Sequence, residues 1–547
     1  MKDSTINLTE ADKQKLFWAS FLALTAAGVG FVFRVMIPDM WVESFQVTKA
    51  EVGGLTGAAL WPIAITMILF SLLVDRIGYK VSMFFAFVLQ AASVVLTFTA
   101  KDYNMMWYAC FCAGLGHGVV EAVINPLCAS IYRDSKSKML NILHASWPAG
   151  IVLGGVFYLL LINLENNPGW GDVKWVFWFM LAPVVAYGIL FLMCSRFPVD
   201  ERVEANVSMR DMLREFGGLG AFLASAFLLY EFFTQFGLND VIQDIGMGSN
   251  GKLYVCLLLG ALIGAGVGIT VGSKGKILFF ILCLIMIPLA TAELATDAWI
   301  QSLMQPILGA KAAGWAIVLS AAIMMTLRFF AGIPLKVMSP PMLLLVSSLF
   351  SIAGLYAMSV SGGWMIFGAF VLYAIGQTFY WPTMLGFVSE QFPRGGAMTL
   401  NTVSAMGLLT VGIFGFPFLG AVQDHYNTQA VITNEAEIFE SVKSGEKTFV
   451  DNTNPEAPVD KPIYETKNFF GVEYDSVNRE EFKKLLSAEK QEQLDAELAA
   501  TSQSSLKVAA VLPLIMAIAF LLIIIYYAAT GGYKPVVLAD ETSGKQT

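Results

Sequence analysis

Charged residues are scarce in this chain of 547 residues, of which 14% are charged and 56% are hydrophobic. Soluble globular domains usually carry about 25% charged residues. The deficit, together with a mean hydropathy of +0.65, excludes an ordinary soluble domain. It predicts a protein that crosses a membrane many times.

Cysteine and histidine are also rare, with six and three residues respectively. All six cysteines lie in or beside apolar runs, and no cysteine or histidine spacing resembles a zinc site. We therefore expect no disulfide framework, no bound metal and no cofactor. A phosphate-binding P-loop is missing too, which argues against an ATP-driven pump. Because no nucleophile motif is present, the sequence does not predict an enzyme, and we expect no nucleic acid partner.

Long apolar runs, in contrast, recur along the whole chain. A bilayer core of about 30 Å requires roughly 20 apolar residues in a helix. The segments that meet this criterion number fourteen: 16–37, 50–73, 81–100, 105–132, 139–163, 173–195, 217–238, 253–272, 277–298, 312–335, 341–360, 364–389, 398–422 and 507–529. The sequence thus predicts an all-α membrane protein. The first segment lacks a convincing cleavage site, so we expect it to be retained.

Lysine and arginine fall mainly on one side of these segments. With the N-terminus inside, the inner segments hold eighteen of them and the short outer connections hold five. The positive-inside rule then places both termini in the cytoplasm. Both N-x-S/T sequons, at Asn7 and Asn206, fall on this inner side, which fits a bacterial cytoplasmic (inner) membrane.

Residues 423–506 interrupt the apolar pattern with seventeen acidic residues against eight basic ones. The predicted topology places this insert outside, before the last helix. Residues 480–498 are expected to form one amphipathic helix with its apolar side chains on one face: Phe482, Leu485, Leu486, Leu494 and Leu498. The insert is either a lid or partner-docking element, or a solvated decoration without a role in transport.

The chain also contains an internal repeat. In each half, a dipeptide that ends in proline is followed by the dipeptide Leu-Asn. The first half has Asn125-Pro126 and Leu140-Asn141, and the second has Trp381-Pro382 and Leu400-Asn401. A duplicated membrane bundle with polar groups near mid-depth is typical of a transporter. The matching leaves the segments 217–238 and 253–272 unpaired, so we expect an extra hairpin between two pseudo-symmetric six-helix units.

These boundaries divide the chain into five parts. We expect an N-terminal six-helix bundle, a cytoplasmic linker with the extra hairpin, helices 7–11 of the second bundle, the acidic external insert, and the last helix with a cytoplasmic tail. The corresponding ranges are 1–196, 197–276, 277–422, 423–506 and 507–547.

Ionisable side chains lie inside the apolar run of the fourth segment. His117, Glu121 and Asn125 recur every four residues and therefore form one stripe on a helix. Small residues between 114 and 122 form a second stripe, which can let a neighbouring helix pack closely. An acid at mid-membrane usually marks a pathway, so Glu121 is the candidate for proton coupling and His117 for a relay. The alternative is that both are structural residues, held in permanent pairs.

The loop after the second segment reads Ser71-Leu-Leu-Val-Asp75-Arg76-Ile-Gly78-Tyr79-Lys80. It resembles the G-x-x-x-D-R-x-G-R-K signature of the major facilitator superfamily, with Ser71 in place of the first glycine and Tyr79 in place of the second arginine. By this resemblance Asp75, Arg76, Gly78 and Lys80 act in a conformational lock. The short motifs around Glu121, Asn141, Glu293 and Trp381 are similar to the fucose permease branch.

The resemblance implies a major facilitator fold and alternating access, in which two units rock around a site lined by helices 1, 4, 7 and 10 of the standard twelve. It also implies a sugar-like substrate and proton coupling. The fucose permease pattern has an acid on helix 1, and this chain has none. Glu121 would then carry the coupling without a helix 1 partner.

Candidate substrate ligands lie on or near the predicted cavity helices. An amide can bind hydroxyl groups, and an aromatic ring can stack on an apolar sugar face. The candidates are Arg34, Asn125, His144, Glu293, Gln377, Tyr380 and Trp381. Arg34 could instead extend to the outer interface, as we also expect Arg328 to do at the inner one. We place Asp297 at the outer mouth.

Together these features predict a monomeric secondary transporter in the lipid bilayer that imports a small polyhydroxylated solute, a monosaccharide, with protons. Two other functions fit the sequence. The protein could be a facilitator or exporter of another metabolite, or a transport-inactive receptor that binds its ligand through the external insert.

Overall fold

The computed structural model describes residues 8–47, 49–162, 168–238, 250–300, 310–362, 365–444, 463–470 and 472–538. Asn7 and part of the predicted insert, 445–462 and 471, lie outside these residues. The first half of the described chain, with the linker and the extra hairpin, contains the helices Glu10–Met36 (α1), Pro38–Phe45 (α2), Lys49–Ala58 (α3), Trp61–Ile77 (α4), Tyr79–Thr99 (α5), Tyr103–Ile131 (α6), Lys136–His144 (α7), Ser146–Leu161 (α8), Trp170–Val173 (α9), Leu181–Met193 (α10), Glu201–Glu204 (α11), Met209–Gln235 (α12) and Gly251–Val271 (α13).

The second half contains further helices and one two-stranded sheet. They are Ile277–Ala290 (α14), Ala310–Phe329 (α15), Pro340–Val360 (α16), Met365–Gln377 (α17), Tyr380–Gln391 (α18), Gly396–Thr410 (α19), Phe416–Asn434 (α20), Ala436–Lys443 (α21), Tyr464–Phe469 (β1), Val472–Val477 (β2), Arg479–Lys483 (α22), Ala488–Ala509 (α23) and Val511–Ala529 (α24).

Within the described residues, thirteen helical stretches are long and apolar enough to cross a membrane. The fourteenth predicted segment, 364–389, is not one helix, because it is interrupted between Gln377 and Tyr380. Pro382, near the start of α18, has no N–H to bond to the carbonyl of Thr378, which explains the break. The predicted segment 398–422 is also too short, since α19 continues through a π-helical turn into α20 and ends at Asn434.

Small residues allow close packing of α4 against α6, as predicted. A side chain at Gly118 would lie 2.0 Å from Oγ1 of Thr66, and one at Gly114 would lie 2.9 Å from the carbonyl oxygen of Ala59. In the same way, a side chain at Gly150 of α8 would collide with the backbone of α1. These glycines bring α1, α4, α6 and α8 together around the polar stripe.

The acidic insert has a small core of its own. Strands β1 and β2 form an antiparallel hairpin, and the expected amphipathic helix is split into α22 and α23 by residues 484–487. Its apolar face is nevertheless as predicted, because Phe482, Leu486, Leu494 and Leu498 are buried in one cluster. Since α20 and α23 continue from membrane segments, the insert is built on extensions of two transmembrane helices.

Candidate transport site

Helix α6 places the predicted polar stripe inside the first bundle. Glu121 is 5% exposed, and its Oε2 accepts a hydrogen bond from Nδ2 of Asn125 at 2.6 Å. Oδ1 of Asn125 lies 2.8 Å from Nε2 of His144, at the end of α7. On the other side, Nε2 of His117 lies 3.7 Å from Oε1 of Glu121. The structure thus joins four of the predicted residues in one buried polar chain.

A second buried cluster lies in the other bundle and is centred on Arg328. This side chain is 2% exposed and forms an ion pair with Oε1 of Glu293 at 2.6 Å. Oε2 of Glu293 accepts the backbone N–H of Trp381 at 2.9 Å, at the start of α18. The expectation that Arg328 extends to the inner interface is therefore wrong. Its charge is satisfied inside the protein, at a point where another helix is interrupted.

Arg328 also links the two clusters through carbonyl groups that prolines leave free. Pro148 and Pro382 have no N–H, so the carbonyls of His144 and Thr378, four residues earlier, lack their helical partners. Nη1 of Arg328 donates to the carbonyl of His144 at 2.9 Å, and Nε donates to that of Thr378 at 2.6 Å. One guanidinium therefore bridges the first bundle, the interrupted helix and Glu293.

The remaining predicted ligands of the second bundle are buried nearby. Nε2 of Gln377 donates to Oδ1 of Asp297 at 2.9 Å, and Oγ of Ser320 donates to the same oxygen at 3.1 Å. Asp297 is thus half-buried and hydrogen-bonded within the bundle. Tyr380 and Trp381 are buried at the start of α18.

Arg34 is 8% exposed and does not extend to the outer interface. Its Nη1 donates to the carbonyl of Gly30, one turn back along α1, at 2.9 Å. This orientation follows the tilt of helical side chains towards the N-terminus. Arg34, His117 and Trp147 line the same small cavity. The rings of His117 and Trp147 are stacked, with centroids 5.1 Å apart.

The signature loop lies at the predicted inner end of α4. Gly78 has a φ of 82°, which glycine adopts readily, and it separates α4 from α5. Asp75 forms an ion pair with Arg202 of the linker, and Nζ of Lys80 donates to the carbonyl of Leu192 at 2.7 Å. Arg76 is exposed. The arginine that holds Asp75 thus comes from the linker.

The linker adds an acid to the same network. Oδ1 of Asp200 accepts the backbone N–H of Arg202 at 2.9 Å and caps the short helix α11. Burial, and then the nearby Asp75 carboxylate, raise the pKa of Asp200 to about 6. The folded protein therefore binds a proton at this side chain more tightly than the unfolded chain does.

The repeated asparagines connect the bundles in a symmetric manner. Nδ2 of Asn141 donates to Oγ1 of Thr383 at 3.1 Å, from α7 to α18. Nδ2 of Asn401 donates to Oγ of Ser71 at 2.9 Å and to the carbonyl of Ala122 at 3.0 Å. Pro126 leaves this carbonyl free, again four residues earlier. Ser71, which replaces the first glycine of the signature, therefore provides a contact between the bundles.

The Major Facilitator Superfamily sequence profile matches residues 16–309, more than half of the chain. The chain belongs to this superfamily. The match covers the first bundle, the extra hairpin and the first helix of the second bundle, α14. The structure has the major facilitator fold, with two pseudo-symmetric bundles and an inserted hairpin. No curated protein sequence matches the chain at a significant level.

Solved structures of the superfamily share this fold at low sequence identity. The human organic anion transporter MFSD10 (TETRAN) has a TM-score of 0.55 and 12% identity, covering 93% of this chain and 99% of its own. A single-residue variant of the Escherichia coli fucose:proton symporter FucP has a TM-score of 0.53 and 14% identity, covering 93% and 98%. A bacterial homologue of the human lysosomal transporter Spinster has a TM-score of 0.55 and 14% identity, covering 94% and 97%.

Sequence patterns miss three parts of the site. The position of Arg328 along its segment suggests the interface and gives no sign of its buried partners. Arg202 and Ser320 carry no motif that would mark them. The prolines at 126, 148 and 382 are the available signal, because each predicts a free carbonyl that needs a donor.

Proposed function

We propose that this superfamily transporter imports a small polyhydroxylated solute of the monosaccharide class together with protons, by alternating access. The observation that carries the proposal is the buried chain from His117 through Glu121, Asn125 and His144 to Arg328. It crosses from one bundle to the other, so a change in the charge of Glu121 can affect the contact between them. One of the similar structures is that of a fucose:proton symporter.

In this proposal each predicted residue has a role. Glu121 binds and releases the coupled proton, and His117 relays it. The substrate ligands are Arg34, Asn125, His144, Glu293, Gln377, Tyr380 and Trp381. The loop residues Asp75, Arg76, Gly78 and Lys80 act as the lock on the inner side. We further propose a monomer in a bacterial inner membrane with both termini in the cytoplasm.

Uptake by proteoliposomes with and without an inward proton gradient tests the proposal. The assay uses purified wild-type protein and a panel of radiolabelled monosaccharides, with neutral sugars (fucose, xylose, glucose and galactose) and acidic ones (glucuronate and galacturonate). Movement of one charge through 100 mV corresponds to about 2.3 kcal/mol, or roughly 50-fold accumulation. We expect Glu121→Gln to retain exchange of labelled for unlabelled solute but to lose uphill accumulation.

Glu231→Gln is a matched control. Glu231 is also a buried acid that accepts a hydrogen bond from an amide four residues later, here Gln235 at 2.8 Å, but it lies on the extra hairpin. This variant should accumulate solute like the wild type. If Glu121→Gln also accumulates solute uphill as well as the wild type does, Glu121 is not the coupling group.

A facilitator of another metabolite is the second candidate, because the Glu121 carboxylate already has a partner in Asn125. A static pair of this kind would not exchange a proton during transport. The facilitator then predicts exchange without uphill accumulation at any proton gradient, in the wild type and in Glu121→Gln alike.

A further inference from the structure

A small cavity lies within the first bundle, beside the buried polar chain. Its volume is about 40 Å³, and its walls come from α1, α3, α5, α6, α8 and the short segments that precede α4 and α10. The lining residues that carry the argument are Arg34, Gln90, His117 and Trp147. The space suffices for a few atoms of a ligand or a few water molecules, but not for a whole sugar ring.

Among the described residues that line this cavity, two side chains bury a nitrogen atom without a hydrogen-bond partner: Nη2 of Arg34 and Nε2 of Gln90. The other polar atoms of these two side chains are engaged. Nη1 of Arg34 bonds to the carbonyl of Gly30, and Oε1 of Gln90 accepts the hydroxyl of Tyr187 at 3.0 Å. Guanidinium and amide nitrogens can only donate hydrogen bonds. The cavity therefore presents unused donors.

The charge of the cavity is unbalanced as well. Arg34 always carries a positive charge, and no acidic residue is among the described residues that line the space. Burying a charged donor without a partner is costly, so such a group normally has an acceptor in the working state of the protein. An oxyanion satisfies both requirements, because it supplies several acceptor atoms and a negative charge.

We propose that this cavity binds the carboxylate of the transported solute, so that the substrate is an acidic sugar such as a uronate, not a neutral monosaccharide. This inference rests on the proposed transport function and specifies its substrate class. The carboxylate accepts hydrogen bonds from Arg34 and Gln90. His117 lies between the bound anion and Glu121, which places the substrate directly beside the proposed proton site.

Binding to the full-length protein in nanodiscs tests the inference with matched pairs of solutes. Isothermal titration compares D-glucuronate with D-glucose and D-galacturonate with D-galactose. We expect both acids to bind and both neutral sugars to bind at least about tenfold more weakly, as expected for loss of a charge-assisted hydrogen bond. Arg34→Gln should weaken acid binding by a similar factor, and Arg34→Lys should restore part of it.

Lys101→Gln is the control, because it removes an exposed positive charge from an outer connection and should leave acid binding unchanged. If Arg34→Gln does not fold, Gln90→Leu removes one donor without a change of charge and should weaken the binding of the acids alone. Equal binding of acids and neutral sugars, or acid binding that is unaffected by the Arg34 and Gln90 variants, would overturn the inference.

The proposed function can be judged separately in the same preparation. Proton-driven accumulation of a neutral sugar, without binding of either acid, would leave the transport proposal in place and show that the cavity holds only water. Failure of both acids and both neutral sugars to bind or to accumulate would contradict the sugar-class transport proposal and this inference together.

Discussion

Arg328 shows how a single side chain can join parts of the chain that are distant in sequence. It contacts Glu293 and the carbonyls of His144 and Thr378, which come from three different parts of the chain. Each of these partners is conspicuous in the sequence as an acid or as a position before a proline. Their meeting at one guanidinium depends on the packing of the helices, which periodicity does not predict.

Removal of Arg328 should strongly destabilise the protein. Arg328→Met leaves the Glu293 carboxylate buried without its ion pair, and breaking such a pair costs about 3–5 kcal/mol. The double variant Arg328→Met with Glu293→Met removes both charges and should recover most of this loss. Denaturant unfolding in detergent micelles, followed by circular dichroism, measures both effects. If the double variant loses as much stability as Arg328→Met alone, or more, the cost does not come from leaving the Glu293 carboxylate without its ion pair.

The linker acid Asp200 should make stability depend on pH. Its pKa is about 6 in the folded protein, above its ordinary value of 3.8, so the folded state binds the proton more tightly. Stability from this group is therefore lost as the pH rises through this range and is regained as it falls towards 3.8. Asp200→Asn, which can still cap α11, should be more stable than the wild type above pH 6.

Thermal unfolding across this pH range checks the prediction. The advantage of Asp200→Asn should shrink as the pH falls from 6 towards 3.8. Asp134→Asn, at an exposed acid on the same side, should show no such trend. A stability difference for Asp200→Asn that does not change with pH would mean that the effect comes from shape and not from ionisation.

At the scale of elements, apolar length locates the membrane helices well and their interruptions poorly. The predicted segment 105–132 corresponds to α6 within two residues. The predicted segment 364–389 contains two helices and not one, because Pro382 and the Glu293 contact to the Trp381 N–H interrupt it although hydropathy is continuous across Thr378 and Phe379. The split of the predicted helix 480–498 has a similar origin, since its apolar face is continuous although its backbone is not.

The acidic insert can be removed at a point that the structure defines. Glu435 and Lys490 form an ion pair at 2.7 Å, so the end of α20 and the start of α23 lie close together. Replacing residues 436–488 with a short Gly-Ser linker should therefore keep the membrane helices joined. Leu494→Gln and Leu498→Gln in the same variant keep the uncovered face of α23 soluble. We expect uptake in proteoliposomes to remain close to that of the wild type.

This result would exclude a receptor whose ligand module is the insert. Size-exclusion chromatography provides the control for folding. Loss of uptake in a variant that elutes as a single folded species would show, in contrast, that the insert acts in transport as a lid or docking element.

At the scale of the whole molecule, the duplicated sequence produces duplicated contacts between the bundles. Asn141 and Asn401 occupy equivalent positions in the two halves, and each reaches into the opposite bundle. The repeat is evident from the dipeptides that contain them. Their partners are not, because Thr383, Ser71 and the carbonyl of Ala122 become neighbours only when the two units associate. These contacts join the bundles on the side that we place in the cytoplasm.

Loss of either asparagine should shift the protein towards a state that is open on this side. Asn141→Leu or Asn401→Leu leaves a buried partner without its hydrogen bond, at a cost of about 1–3 kcal/mol. This cost falls only on the closed state, so the open population should rise roughly tenfold. Double electron–electron resonance (DEER) spectroscopy measures the distance between the bundles, with spin labels at the exposed positions Asp134 and Lys336.

The control is Asn434→Leu, because this asparagine donates to the carbonyl of Ala430 within its own helix, at 2.8 Å. It should leave the distance distribution unchanged. Since the two asparagines are equivalent in the repeat, both variants should increase the longer distance to a similar extent, and the double variant should increase it further. A shift in only one of them would mean that the bundles are held by one contact and that the symmetry of the sequence does not extend to the closing of the transporter.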